Sequence, residues 1–332
     1  MLGIAQTAWA AKADQDLELG MLARAQLEDH RGISQAETLS LQEAAGLPLF
    51  RVFLQGQVAP RAEIYVALHA DDIRLQLAEA NVGYLLTSQQ NIPSDPRASR
   101  GSVRSTAFRG AGQRSDTAPG FWLHLGRMPE SYGLQSQTRP EDRILSASHI
   151  ASSQLANHRY PEGIRLSQLS DDVTTQLGIF RDHQVRVVSS DDQPWSAALR
   201  LAGRSALTDY GQFQVGFSLG LKDICVGSRW RETDTTLDEG FAHSALISPV
   251  SLFKTEANAV DSEQRGALEF VWHREGFTLQ TESFYRQINA VHEGVDASLN
   301  GHYVELSWLT KGERRSFNNR GILNHARPQG AW

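Results

Sequence analysis

Apolar and polar positions alternate along most of the chain with a period of two, the spacing that puts every second side chain on one face of a β-strand. In Trp195–Arg204, Trp195, Ala197, Leu199 and Leu201 fall on one face, and Ser196, Ala198, Arg200 and Arg204 on the other. In 211–221, Phe213, Val215, Phe217 and Leu219 oppose Gln212, Gln214, Gly216 and Ser218. Segment 264–272 sets Leu268, Phe270 and Trp272 against Arg265, Ala267 and Glu269. Segment 276–286 sets Phe277, Leu279 and Tyr285 against Thr278, Gln280, Glu282 and Arg286. Weaker copies occur at 16–26, 50–57, 62–69, 73–85, 120–127, 163–169, 173–182, 221–230 and 302–309. Asp71-Asp72, Asp171-Asp172 and Asp191-Asp192 supply turn chemistry just ahead of strands.

Strands of about 10 residues with one apolar and one polar face are what a transmembrane β-barrel needs. A soluble β-sandwich explains the alternation equally well. It does not explain faces rich in Gln, Arg and Gly opposite apolar ones over so many strands. Aromatic residues (Trp122, Trp195, Tyr210, Trp230, Trp272, Tyr285, Trp308) fall at predicted strand ends, where interfacial girdles sit. Tight turns are expected at 219–223 and 273–276, and long polar connections at 87–120 and 128–163, the asymmetry of short periplasmic turns and long outer loops. The expected fold class is therefore all-β, an antiparallel transmembrane barrel. Helix is scarce: Ile144, Ala147, Ala151 and Leu155 repeat at helical spacing, and Ser34 with Glu37 forms a weak capping box. No solenoid period appears.

Composition narrows the function. There are 32 Lys and Arg residues against 38 Asp and Glu, a formal net charge of −6, which argues against a nucleic-acid partner. The single cysteine, Cys225, allows neither an internal disulfide nor a cysteine-based zinc site. No stretch approaches the roughly 18 apolar residues of a spanning helix. At the N-terminus, a short apolar stretch runs into Ala8-Trp9-Ala10 and Ala11-Lys12-Ala13, which fit the small-x-small rule of signal-peptide cleavage. Residues 1–13 are accordingly expected to be a partial signal peptide, with its charged start missing, and 14–332 the barrel. Enzyme signatures are missing: the chain has no nucleophile elbow, P-loop, His-Glu-x-x-His or dinucleotide fingerprint. His124, His149, His158 and His183 lack metal-ligand spacing, so neither a metal nor a cofactor is expected.

Three segments resemble the phosphate-selective porins of Gram-negative outer membranes. In 301–317, Gly301, Tyr303, Ser307, Leu309, Thr310, Gly312, Glu313, Arg315 and Phe317 match a late-barrel pattern, with Lys311 inserted, and 326–332 (ARPQGAW) matches the start of the next strand. Segment 120–135 (GFWLHLGRMPESYGLQ) is similar to the strand that leads into the family's long loop. Segment 157–166 (NHRYPEGIRL) is similar to its return. The resemblance implies a barrel of about 16 strands when complete, of which roughly 12–13 would be present here. Family members continue beyond the Gly-Ala-Trp start, so the chain is expected to be a fragment.

The resemblance also implies the chemistry: passive diffusion of small anions such as phosphate through a water-filled lumen in the outer membrane, with lipid around it and a homotrimer as the assembly. Arginine suits such a lumen because its planar fork matches oxyanion oxygens. Alternation nominates Arg200, Arg204, Arg229, Arg265 and Arg286 as pore-lining, with Arg165 on a weaker strand. The loop 129–162, expected to fold inward as a constriction, adds Arg139, Arg143 and Arg159. The alternatives are a diffusion porin without anion selectivity and, from another class, an exported soluble β-sandwich that binds or adheres.

Overall fold

The computed structural model describes residues 3–12, 17–27, 45–70, 75–88, 119–143, 160–181, 195–223, 260–290, 296–309, 315, 317–318 and 320–323. Thirteen strands form one antiparallel sheet in which every strand pairs with its neighbours in sequence. They are β1 (Gly3–Lys12), β2 (Leu17–Leu27), β3 (Ala45–Ala59), β4 (Ala62–Ala70), β5 (Leu75–Ser88), β6 (Gly120–Arg127), β7 (Glu162–Leu169), β8 (Val173–Arg181), β9 (Trp195–Arg204), β10 (Gln212–Asp223), β11 (Val260–Arg274), β12 (Phe277–Ala290) and β13 (Ala297–Trp308). A sandwich would need two sheets. Here there is one, and it is a meander of the barrel type. Among the described residues no ladder joins β13 to β1.

The two faces of the sheet have opposite chemistry. Leu219, Leu268, Val304 and Leu306 point outward and are exposed, Leu268 to 66%. Arg51, Glu79, His124, Arg165, Arg200, Arg265, Glu269 and Glu282 point to the other face and are buried. A buried charged face and an exposed apolar face invert the soluble pattern and fit a wall between hydrocarbon and a polar lumen. The sheet curls around its charged face, because one short inward segment reaches β3 through Arg139 and β12 through Gln135.

Several expectations are corrected. The tight turn expected at 219–223 is not there. β10 runs without a break to Asp223, held in register by β9 on one side and β11 on the other, and residues 224–230 lie outside the described ones. Trp122 lies near the end of β6, as expected, but it faces inward with His124 rather than toward lipid and is 2% exposed. Tyr285 lies well inside β12 rather than at its end. An aromatic rim does form at one end. Trp272 lies beside Phe213 in the ladder, packs edge-on against Phe277 at 5.7 Å, and donates to the Tyr210 carbonyl, while Phe277 pairs with Trp308.

Because consecutive strands reverse direction, connections after odd- and even-numbered strands leave opposite ends. The short connections 60–61, 170–172, 205–211 and 275–276 share one end, and 128–161 and 224–259 share the other. The long connection 89–119 breaks the pattern: it leaves at the short-turn end, since only β6 separates it from 128–161. Residues 3–12, expected to belong to a signal peptide, pair with β2 from Gly3↔Leu27 to Lys12↔Glu18. The expected helix at 144–158 and the capping box at 34–37 lie outside the described residues.

Leu268, outward and central on β11, gives the direct test of the faces. Leu268→Arg should lower barrel stability by about 2–4 kcal/mol, the penalty for a cation near a bilayer midplane. The urea midpoint of the heat-modifiable form in lipid vesicles measures it. Unchanged stability would mean that the faces are reversed.

Candidate functional site

Two segments fold into the space that the sheet encloses. The first, 128–143, comes from the long-loop end. It holds one helical turn, α1 (Leu134–Gln137), and a 3-10 turn at Pro140–Asp142. The second includes residues 315, 317–318 and 320–323 and comes from the short-turn end after β13. They meet where the Arg315 guanidinium donates to the Asp142 carbonyl at 2.9 Å, and where Leu134, Ile322 and Leu323 pack on Val271.

The first segment is tied to the wall mainly by two buried glutamates. Glu282 on β12 accepts the backbone N–H of Leu134 at 2.6 Å and of Gln135 at 3.0 Å, and the Tyr303 hydroxyl at 2.6 Å. Glu130, on the segment itself, accepts from Arg265 at 2.5 Å and from the Ser196 hydroxyl at 2.6 Å. Gly133 has φ +69°, and a Cβ there would lie 3.1 Å from Glu282 Oε1, so the hook around this carboxylate needs glycine. Its N–H donates to Ser218 at 2.9 Å. Tyr132 donates to the Gly266 carbonyl at 2.8 Å, and burial pushes its phenol well above the usual range, so the donating proton stays. Met128 and Tyr132 pack with Phe180, Phe284 and Tyr303.

The second segment is held by the arginines of β9. Arg200 forks onto Glu269 at 2.6 and 3.1 Å and also donates to the carbonyls of Arg320 and Gly321. Arg204 donates to the carbonyls of Asn318 and Ser170. Arg320 crosses to β4 and meets Glu63 at 2.6 Å, and Glu63 also faces His124 Nε2 at 3.0 Å.

Of the arginines nominated by alternation, Arg165, Arg200, Arg204, Arg265 and Arg286 all stand on the inward face. Arg265 pairs with Glu130 and Glu263, and Arg286 with Glu263 at 2.8 Å. From the loop, Arg139 lies 3.4 Å over the Tyr65 ring and 3.7 Å from Glu79. Arg143 instead donates back into its own segment, to the carbonyls of Thr138 and Gln135 at 3.0 Å. Arg159 and Arg229 lie outside the described residues. Sequence reasoning missed Arg51, Arg320, Glu63 and Glu130, and the inward course of 315, 317–318 and 320–323. The only signal for that last segment was the motif containing Arg315 and Phe317.

The described ion pairs form two groups. On β9–β12 each inward arginine from the nominated set is engaged by a glutamate or by carbonyls of the inward segments. The opposite wall, β3–β7, carries Arg51, Arg165 and, against it, Arg139 and Arg320, with Glu63 and Glu79 as the facing acids.

A family model described as phosphate-selective porin O and P matches residues 109–332, about two thirds of the chain. No curated protein matches it.

Glu282→Gln should release the first segment, because the amide keeps one acceptor oxygen and sets its NH2 against the remaining donors, leaving buried N–H groups unpaired at a cost of about 1–3 kcal/mol. Limited trypsin digestion of the folded protein should then cut after Arg143 faster than in the unsubstituted chain. Equal cutting rates would show that Glu282 does not hold the segment.

Proposed function

This chain belongs to the phosphate-selective porin O and P family, which makes it an outer-membrane porin, and on that premise we propose that it passes small phosphate-like anions by passive diffusion. The observation that carries the anion reading is the inward face itself: buried arginines from β3, β7, β9 and β11 line it, and two inward segments narrow it. In this reading the exposed apolar face meets outer-membrane lipid, and the homotrimer is its assembly. The lumen draws anions in by focused positive potential and lets them leave because no single arginine binds tightly. The channel performs no covalent chemistry.

Among the nominated arginines, Arg139 and Arg165 act on the permeating ion. Arg200, Arg204, Arg265 and Arg286 hold the constriction in place through glutamates and carbonyls. Arg143 braces the loop from within. A general diffusion porin is the second reading, favoured by the glutamates that face Arg200, Arg265 and Arg286.

Planar-bilayer recordings in a salt gradient separate the two. The proposed function predicts a reversal potential of anion-selective sign, strongest at low salt, where the Debye length exceeds the roughly 8 Å of physiological conditions. Arg139→Gln should reduce the preference more than Arg286→Gln. A cation-selective or indifferent channel would leave the general porin.

A further inference from the structure

Arg320 touches both sides of the lumen. Its backbone carbonyl accepts from Arg200 on β9 at 3.0 Å, and its guanidinium reaches Glu63 on β4 at 2.6 Å. Four strands, β5 to β8, separate β4 from β9 in the sheet. A single residue therefore bridges the lumen. The bridge lies toward the short-turn mouth, since Glu63 directly follows the connection 60–61 that opens β4.

The two ends of the bridge differ. On the β9 side the second segment is held several times over. Arg200 and Gln214 both donate to the Gly321 carbonyl, Arg204 donates to that of Asn318, and Ile322 and Leu323 pack on Val271. Arg200 and its partner Glu269 are closed to water, at 0% and 1% exposure. On the β4 side, Arg320 and Glu63 are 19% and 16% exposed. A pair that water reaches contributes little to the stability of the fold. This end can be cut while the other stays in place.

Glu63 is set in position by its neighbours. Glu63, Gly83 and His124 are in register across β4, β5 and β6. A Cβ at Gly83 would lie 2.8 Å from Glu63 Cγ and 2.9 Å from the His124 ring. The missing side chain lets the Glu63 carboxylate lie across β5 and meet His124 Nε2 at 3.0 Å. The acceptor that takes Arg320 is thus braced from two strands away.

We infer that Glu63 is a specificity-determining residue of the pore: it draws Arg320 across the lumen, and this bridge sets the size limit for solutes whatever their charge. The inference rests on the porin reading and not on the preference for anions. With the pair intact, the second segment spans from β9 to β4, and a solute must pass beside it. With the pair broken, the segment stays on β9–β11 and the passage along β3–β7 widens. Losing either partner widens the pore alike, although the two carry opposite charges. An effect through the electric field would act in opposite directions on an ion and would not touch an uncharged solute.

The test reconstitutes the 332-residue chain in lipid vesicles and measures swelling in two neutral sugars, a pentose and a disaccharide. Glu63→Gln and Arg320→Gln should each raise the disaccharide rate several-fold relative to the pentose rate. The double variant should do no more than either alone, because the same contact is lost in all three. Arg320→Lys, which keeps the charge, should raise the ratio less than Arg320→Gln. Arg320 lies outside the strands, so Arg320→Gln decides should Glu63→Gln fail to give the heat-modifiable form. An unchanged ratio in Arg320→Gln channels that admit the pentose overturns the size-limiting role and leaves the porin standing. So does a double variant whose effect is the product of the two. Vesicles of the unsubstituted chain that admit neither sugar overturn the porin reading first, and the role of Glu63 with it.

Discussion

A carboxylate buried away from water must be surrounded by donors, and Glu282 meets that requirement by drawing a loop across the lumen. Its two oxygens take two backbone N–H groups of the inward segment and one tyrosine hydroxyl. Leaving such a group unsatisfied costs several times what one exposed hydrogen bond contributes. The position of α1 depends on this, and with it Glu130, which sits four residues earlier and completes Arg265 and Ser196. The second segment then closes on the first through Arg315 and the Leu134–Val271–Ile322–Leu323 cluster. The constriction is one interlocked body entered from both mouths.

That interlock divides the labour among the arginines. A guanidinium forked onto a glutamate, as Arg200 is onto Glu269, offers little net charge to a passing ion but fixes the backbone that it also touches. On the β3–β7 wall Arg51, Arg139 and Arg320 meet Glu79 and Glu63, while Arg165 meets only Gln137 among the described residues, and the attraction proposed for anions rests on that guanidinium. The overall acidity of the chain is compatible with this, since charge near the permeation path counts for more than the screened sum over the molecule.

Much of the fold was legible in the sequence, because period-2 alternation determines which face a side chain takes. The inward positions of Arg200, Arg265 and Arg286 and the outward positions of Leu199, Phe217 and Leu268 follow from it. Failures came where local pattern competes with the ladder. Gly220, Lys222 and Asp223 look like a turn, yet pairing with two neighbouring strands carries β10 through them. Trp122 stands near a strand end like a girdle residue but shares the inward parity of His124. The site was less legible: Glu130 meets Arg265 from 135 positions away, and Arg320 meets Glu63 from 257. No local pattern encodes such contacts. His124 stands in no metal-ligand spacing in the sequence, and its place beside Glu63 and Arg165 emerges only once β6 is paired in the sheet.

Wall side chains hold the first inward segment as firmly as the sheet holds its strands. Native-state hydrogen exchange of the folded chain in detergent micelles tests it at single amides. The N–H groups of Gly133, Leu134 and Gln135, bonded to Ser218 and Glu282, should exchange as slowly as the ladder amides of β11 and β12. Exchange at the rate of an unstructured loop would contradict the account.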